Sequence, residues 1–525
     1  MHQKLSRPSS LNRRQFLRLT GLGVLGLMAG SLLKTPAARA STPTLPGLSS
    51  TFTPDVELAL TAEPGQVSIL PGQPTTVWRY RAEVLSGPAD TVQPIPDTYL
   101  GPILRFKPGQ KVRVRFTNRL SEETIVHWHG LHVPEAADGH PRLAIAPGET
   151  YIYEYEIMDR PGMYWYHPHP HGRTGPQAYM GLAGLIIISD ESEQALGLPS
   201  GDRDLPLVIQ DRQFDANNQL IYSTPMAGFL GDRILVNGRP ELIQTVEPAT
   251  YRLRILNGSN ARIYKLAWPD NTPFTVIGTD GGLLDAPVQR PYITLGPAER
   301  IDLLVDFSRW AGQTLSLRSL AFSGGGFMGG GGALPNGAAF DVLRFQVSED
   351  AATPMPYKTF VPLMSGPVAA ARRADRAWVQ ADRTFQLYMQ FGQWTINGRT
   401  FQMEAVAPDE IVKLGTEEVW EFVNQQPGGG GGGMGGGMPH PMHIHGLQFQ
   451  VVGRQPPTNT QQRANWETVK DGYVDDGWKD TILLMAGERV QVRLRFEDFT
   501  GLYLYHCHNL EHEDMGMMRN YKIVA

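Results

Sequence analysis

Cysteine is all but missing: 525 residues contain one, Cys507. A lone thiol excludes an intramolecular disulfide, so its use lies in reactivity or metal binding. Acidic residues are missing from residues 1–40, which carry seven Lys/Arg and no Asp or Glu. The apolar stretch that follows, Leu19 to Leu33, falls short of the roughly 18–20 residues that cross a bilayer, which argues against a transmembrane anchor. Long amphipathic helical patterns are scarce, which argues against a helical fold.

The N-terminal segment fits an export signal instead. It contains Asn12-Arg13-Arg14-Gln15-Phe16-Leu17-Arg18, then the apolar stretch, then the small-residue cleavage pattern Ala38-Arg39-Ala40. This predicts a twin-arginine signal over residues 1–40, removed on export to the periplasm or the outside. Loss of its seven positive charges takes the formal charge from −5 to −12. An acidic mature chain disfavours nucleic acid and anionic membrane as partners. Its length, at roughly 100–200 residues per domain, predicts about three domains.

Short aromatic and β-branched runs, set apart by Gly, Pro, Asn and Asp, predict an all-β chain. Lys111 to Phe116, Tyr251 to Leu256 and Val490 to Phe496 alternate apolar and polar residues, the pattern of a strand with one buried face. A Pro/Ala/Arg-rich stretch near 351–380 reads as a linker. Two glycine-rich tracts, Ser323 to Ala333 and Pro427 to Pro439, read as flexible segments. The second carries Met434 and Met438 and ends against His440, so it is either a passive loop or a flap whose thioethers meet a soft cation.

Cys507 sits within His506-Cys507-His508, with His512 and Met517 just beyond. Cys, His and a weak axial Met are the donors of a blue copper electron-transfer site. The preceding Gly-Leu-Tyr-Leu-Tyr, residues 501–505, reads as a strand, on which neighbours face opposite ways. Cys507 then serves one site, His506 and His508 another, with the backbone as the path between them. Three further pairs have the i, i+2 spacing that puts both rings on one strand face: His127/His129, His167/His169 and His443/His445. With His440 and the C-terminal segment, these account for ten of the fourteen histidines.

On these motifs the chain, from about residue 50 onward, resembles the multicopper oxidases, the family of laccases, bacterial cuprous oxidases and bilirubin oxidases. The resemblance implies three consecutive cupredoxin-like Greek-key β-barrel domains at about 50–190, 200–350 and 380–525, the middle one a spacer without a copper motif. It implies copper as cofactor, about four per chain. Cys507, His440 and His512 would hold the blue copper, with Met517 axial. His127 and His443 would hold the lone copper of a trinuclear cluster. His129, His167, His169, His445, His506 and His508 would hold its coupled pair. His171 is expected to stand behind these ligands, and Asp138 and Glu513 to supply protons. Trp128 and Trp165 are expected to pack around the clusters. The implied partners are dioxygen and a small reductant, a phenol, an aromatic amine or a low-valent metal ion. Cuprous oxidation is an alternative, although Gly436 stands where those enzymes commonly carry an acid. A non-enzymatic envelope scaffold of the same fold is a remote one, since such relatives lack the cysteine and several histidines.

Overall fold

The alternation in the sequence becomes burial in the structure. Val112, Val114 and Phe116 are fully buried on the strand Lys111–Asn118, while Lys111 faces solvent and Arg115 is half-buried. The computed structural model describes residues 51–325, 334–350, 378–424 and 437–525, all within the unit Leu48–Ala525. The expected signal, the linker before 378 and most of both glycine-rich tracts lie outside the described residues.

Six sheets, in three consecutive pairs, organise these residues, as expected for an all-β chain. The first pair uses strands between Val56 and Ile188, the second between Asp204 and Val347, the third between Arg383 and Val524. Each pair contains two parallel ladders among antiparallel ones. In the first, Val56–Val67 lies parallel to Lys111–Asn118 and Ile103–Phe106 to Gly184–Ile188. In the second, Asp204–Arg212 runs with Thr250–Asn257 and Ile243–Val246 with Phe340–Val347. In the third, Arg383–Gln390 runs with Thr416–Val423 and Ile411–Lys413 with Met518–Val524. Parallel neighbours need crossovers between sheets, the mark of Greek-key wiring. The topology therefore repeats three times where the sequence has no visible repeat.

Each sheet pair encloses its own apolar core. Two smaller apolar clusters join the pairs, one from Ile103, Trp165 and Leu185 against Val208 and Leu256, the other from Ile263 and Phe322 against Val469 and Leu483. One expectation fails here. The strand Thr250–Asn257 has no solvent face, because Arg252 and Arg254 are buried as deeply as Leu253 and Ile255. Arg252 donates to Glu193 and Asp302, and Arg254 donates through two nitrogens to Asp204. Buried charge is tolerated when paired and hydrogen-bonded in this way.

Candidate metal centre

Strand register builds the site. Val126–His129 pairs with Gly162–Pro168 so that His127 faces His167 across the ladder. In the third sheet pair, His440–Ile444 lies between Gly501–Cys507 and Thr481–Leu484, with Met442 opposite Cys507 and His443 opposite His506. These strand ends from the first and third pairs meet, and all ten histidines and Cys507 are buried.

On one side of Cys507, Sγ lies 3.4 Å from His440 Nδ1 and 3.6 Å from His512 Nδ1, with the two nitrogens 3.2 Å apart. Met517 is fully buried in the same core. Its carbonyl accepts from Cys507 N and its amide donates to His512 O, which ties all three residues into one turn. Burial pushes the Cys507 thiol well up, so a metal ion is what makes it a thiolate.

On the other side, eight histidines converge in three groups, the first two sharing His129: His127, His129 and His443; His129, His167 and His508; His169, His445 and His506. His127 Nε2 is 3.3 Å from His443 Nε2, and His129 Nδ1 is 3.3 Å from His167 Nε2. His506 Nε2 lies 3.4 Å from His169 Nε2 and 3.0 Å from His445 Nε2. Their outer nitrogens rest on carbonyl oxygens: His127 on Asp138, His443 on Asp480, His167 on Pro168. Burial holds His167 at about 4 and His169 and His440 at about 3. It also holds His127, His129, His443, His445, His508 and His512 well below the usual range. Neutral imidazoles with free lone pairs result, the form that binds metal.

Both candidate carboxylates lie against this group. Asp138 Oδ2 is 2.8 Å from His445 Nδ1, its Oδ1 has no hydrogen-bond partner, and burial raises its pKa well above the usual range. Glu513 lies 3.1 Å from His506 Nδ1 and 3.5 Å from His169 Nε2, short of hydrogen-bond alignment with either. Burial pulls Glu513 up, and the two histidines override it and hold it at about 2. Trp165 packs on His167 with ring centroids 4.2 Å apart, and Trp128 packs away from the group against Tyr153 and Tyr155. His171 departs from expectation: it is exposed, its ring against Phe401. Met438 is a buried core residue, and Met434 lies outside the described residues.

The sequence reading missed three neighbours. Asp480 and Thr481 approach His129 Nε2 at 3.0 and 3.2 Å. Trp394 covers His512 and His440 with ring centroids 4.2 and 5.0 Å away, and its Nε1 donates to the carbonyl of Met226. None stands beside a motif, so only the fold brings them in.

The donors fit copper. A soft thiolate with two imidazoles and a neighbouring thioether suits a blue site, and imidazole alone suits the second group. Both nitrogens of buried His508, a ring grouped with His129 and His167, lack a hydrogen-bond partner. An orphaned buried polar group costs about 1–3 kcal/mol, a cost that a bound metal offsets.

Known proteins agree. Two family descriptions, both "Multicopper oxidase", match residues 76–193 and 377–524. The chain is 34% identical over 429 residues to the multicopper oxidase mco of Staphylococcus haemolyticus, covering 81% of this chain and 82% of that one. It is 34% identical over 432 residues to the bilirubin oxidase of Albifimbria verrucaria, covering 80% and 70%. The crystal structure of the multicopper oxidase McoA from Aquifex aeolicus superposes with a TM-score of 0.71 at 36% identity, covering 90% of this chain and 97% of that one. Fold, cysteine, histidines and relatives converge: this chain belongs to the multicopper oxidase family, copper-dependent oxidoreductases that use dioxygen.

Proposed function

We propose that the chain is a laccase-like oxidase of phenols, aromatic amines or low-valent metal ions. His440, Cys507 and His512 would hold one copper, with Met517 beside it; His127 and His443 would hold a second; His129, His167, His169, His445, His506 and His508 would hold two more. Copper so held would supply one-electron oxidation of a reductant at the Cys507 centre and four-electron reduction of dioxygen to water at the histidine group. The observation that carries the reading is the tripeptide His506-Cys507-His508: its thiol meets His440 and His512, while His506 meets His169 and His445. Two covalent backbone paths then join the centres.

The protein's own groups position and protonate. Carbonyl oxygens orient the histidine rings, and the apolar core around Cys507 excludes water. Asp138 and Glu513 stand where protons for the reaction must pass, one beside His445, the other beside His506 and His169. A second reading, oxidation of a soft metal ion such as Cu(I), draws on Met226, which is 49% exposed on the rim beside Trp394. For localisation, the arginine pair and Ala38-Arg39-Ala40 support folded export by the twin-arginine route. Oxygen uptake by copper-loaded protein with phenols, bilirubin, Cu(I), Fe(II) and Mn(II) tests the activity. Uptake driven by phenols is expected, uptake driven by Cu(I) alone favours the second reading, and no uptake with any donor overturns both.

A further inference from the structure

We infer that Arg300, a residue of the middle sheet pair, is a positioning residue for the histidine group: acting through Asp480, it fixes the proton of His129 on Nε2 and turns Nδ1 inward. The inference rests on the proposed copper-binding role of His129 and gives the middle domain, read above as a spacer, a direct part in the centre.

Arg300 opens the strand Arg300–Asp306 and is 1% exposed. Each of its five N–H groups has an acceptor. Nη1 donates to Asp480 Oδ1 at 2.7 Å and to Ala298 O at 3.0 Å, Nη2 to Asp480 Oδ2 at 2.5 Å and to Asp280 O at 3.1 Å, and Nε to Met163 O at 3.3 Å. One guanidinium thus ties together all three sheet pairs, with its two-pronged face on Asp480. Burial opposes its charge, and Asp480 and Asp280 more than offset that opposition.

Asp480 passes the constraint on. Its Oδ1 also accepts from Thr481 Oγ1 at 2.9 Å and lies 3.0 Å from His129 Nε2. A carboxylate bonded to arginine can only accept, so His129 must donate from Nε2. Its other nitrogen, Nδ1, then faces His167 Nε2 at 3.3 Å with a free lone pair. The carbonyl of the same Asp480 lies 2.8 Å from His443 Nδ1, so one residue holds a histidine from each outer domain. The packing leaves no slack. Gly130, next to His129, has φ +90°, and a Cβ there would fall 2.5 Å from Asp480 Oδ2 and 2.8 Å from Arg300 Nη2. A lysine cannot reproduce a forked pairing of this kind.

The test compares copper-loaded wild type with Arg300→Gln and Arg300→Lys by copper content under chelator titration, the electron paramagnetic resonance of the histidine group, the blue band and the melting temperature. Arg300→Gln is expected to weaken copper retention at the histidine group about 10- to 100-fold, as loss of such orienting partners does. Its resonance signature should change while the blue band stays as in wild type, and Arg300→Lys should restore part of the retention. A lowered melting temperature with wild-type resonance and retention would reduce Arg300 to domain packing and overturn the inference. If Arg300→Gln does not fold, the shape-conserving Asp480→Asn takes its place, and an unchanged resonance there overturns the inference equally. Wild-type protein without copper at the histidine group would instead overturn the proposed function itself.

Discussion

The Cys507 centre and the histidine group share one tripeptide and are built on opposite plans. The first is local: His440, Cys507, His512 and Met517 all come from the third sheet pair and sit in its apolar core beside Met438 and Met442. The second is divided, taking His127, His129, His167 and His169 from the first pair and His443, His445, His506 and His508 from the third. Carbonyl oxygens and carboxylates hold its rings, with Trp165 packed on His167. A site enclosed in one core is tuned by that core. A site on a seam depends on how two domains register, which is why a third domain's arginine bears on it.

The contrast can be broken most sharply at the residue both plans share. Cys507→Ser should abolish the intense thiolate-to-copper band and turnover, leave the fold largely intact, and leave copper on the histidine group. Absorption and copper analysis decide it, and a surviving blue band would falsify the assignment, since no other thiol exists. Glu513→Gln attacks the divided site alone. Copper content and blue colour should persist while turnover falls about 100-fold, in the range lost with a positioned acid–base group. A wild-type rate with a wild-type solvent isotope effect would leave Glu513 as mere support and pass the role to Asp138.

Acid should separate the sites more gently. His167, His169 and His440 are held at about 3–4 in the folded chain, against about 6.5 when unfolded. Their lowered values mean that stability is complete above the unfolded value and drains away as pH falls from there toward 4. The histidine group holds seven such rings and the Cys507 centre two, so copper should leave the group first, with copper per chain dropping before the blue band fades. Simultaneous loss would contradict the contrast. The smallest effect is expected at Met517→Leu, where the blue band stays and the reduction potential of the Cys507 centre rises as a weak donor is lost. An unchanged potential in redox titration would move the axial role to Met515 or Met518.

How legible all this was in the sequence depends on distance along the chain. A strand's two-residue period is local, so Val112, Val114 and Phe116 announced a buried face and each His-x-His pair announced two rings on one side. The resemblance then supplied the grouping of the pairs. Arg252 and Arg254 misled because the same alternation describes a solvent face and a buried ionic one, and their partners, Glu193 and Asp204, lie outside the strand. Asp480 gave no signal at all: its ring partner His129 lies 351 residues away and its arginine 180. Trp394 likewise meets His512 only after folding. His171 misled in the opposite sense, extending a histidine motif yet ending at the surface.

The seam also sets a timetable. His127 and His443 are 316 residues apart, so at ribosomal rates the first waits roughly 15–60 s for its counterpart to be synthesised. During that interval a nascent chain offers half a site, and contacts of such long range form late in folding. The Cys507 centre needs only the third sheet pair, yet that pair follows the other two in synthesis. Neither centre can therefore be completed before the third sheet pair has been made, and metal loading becomes a test that the first and third pairs have closed on each other.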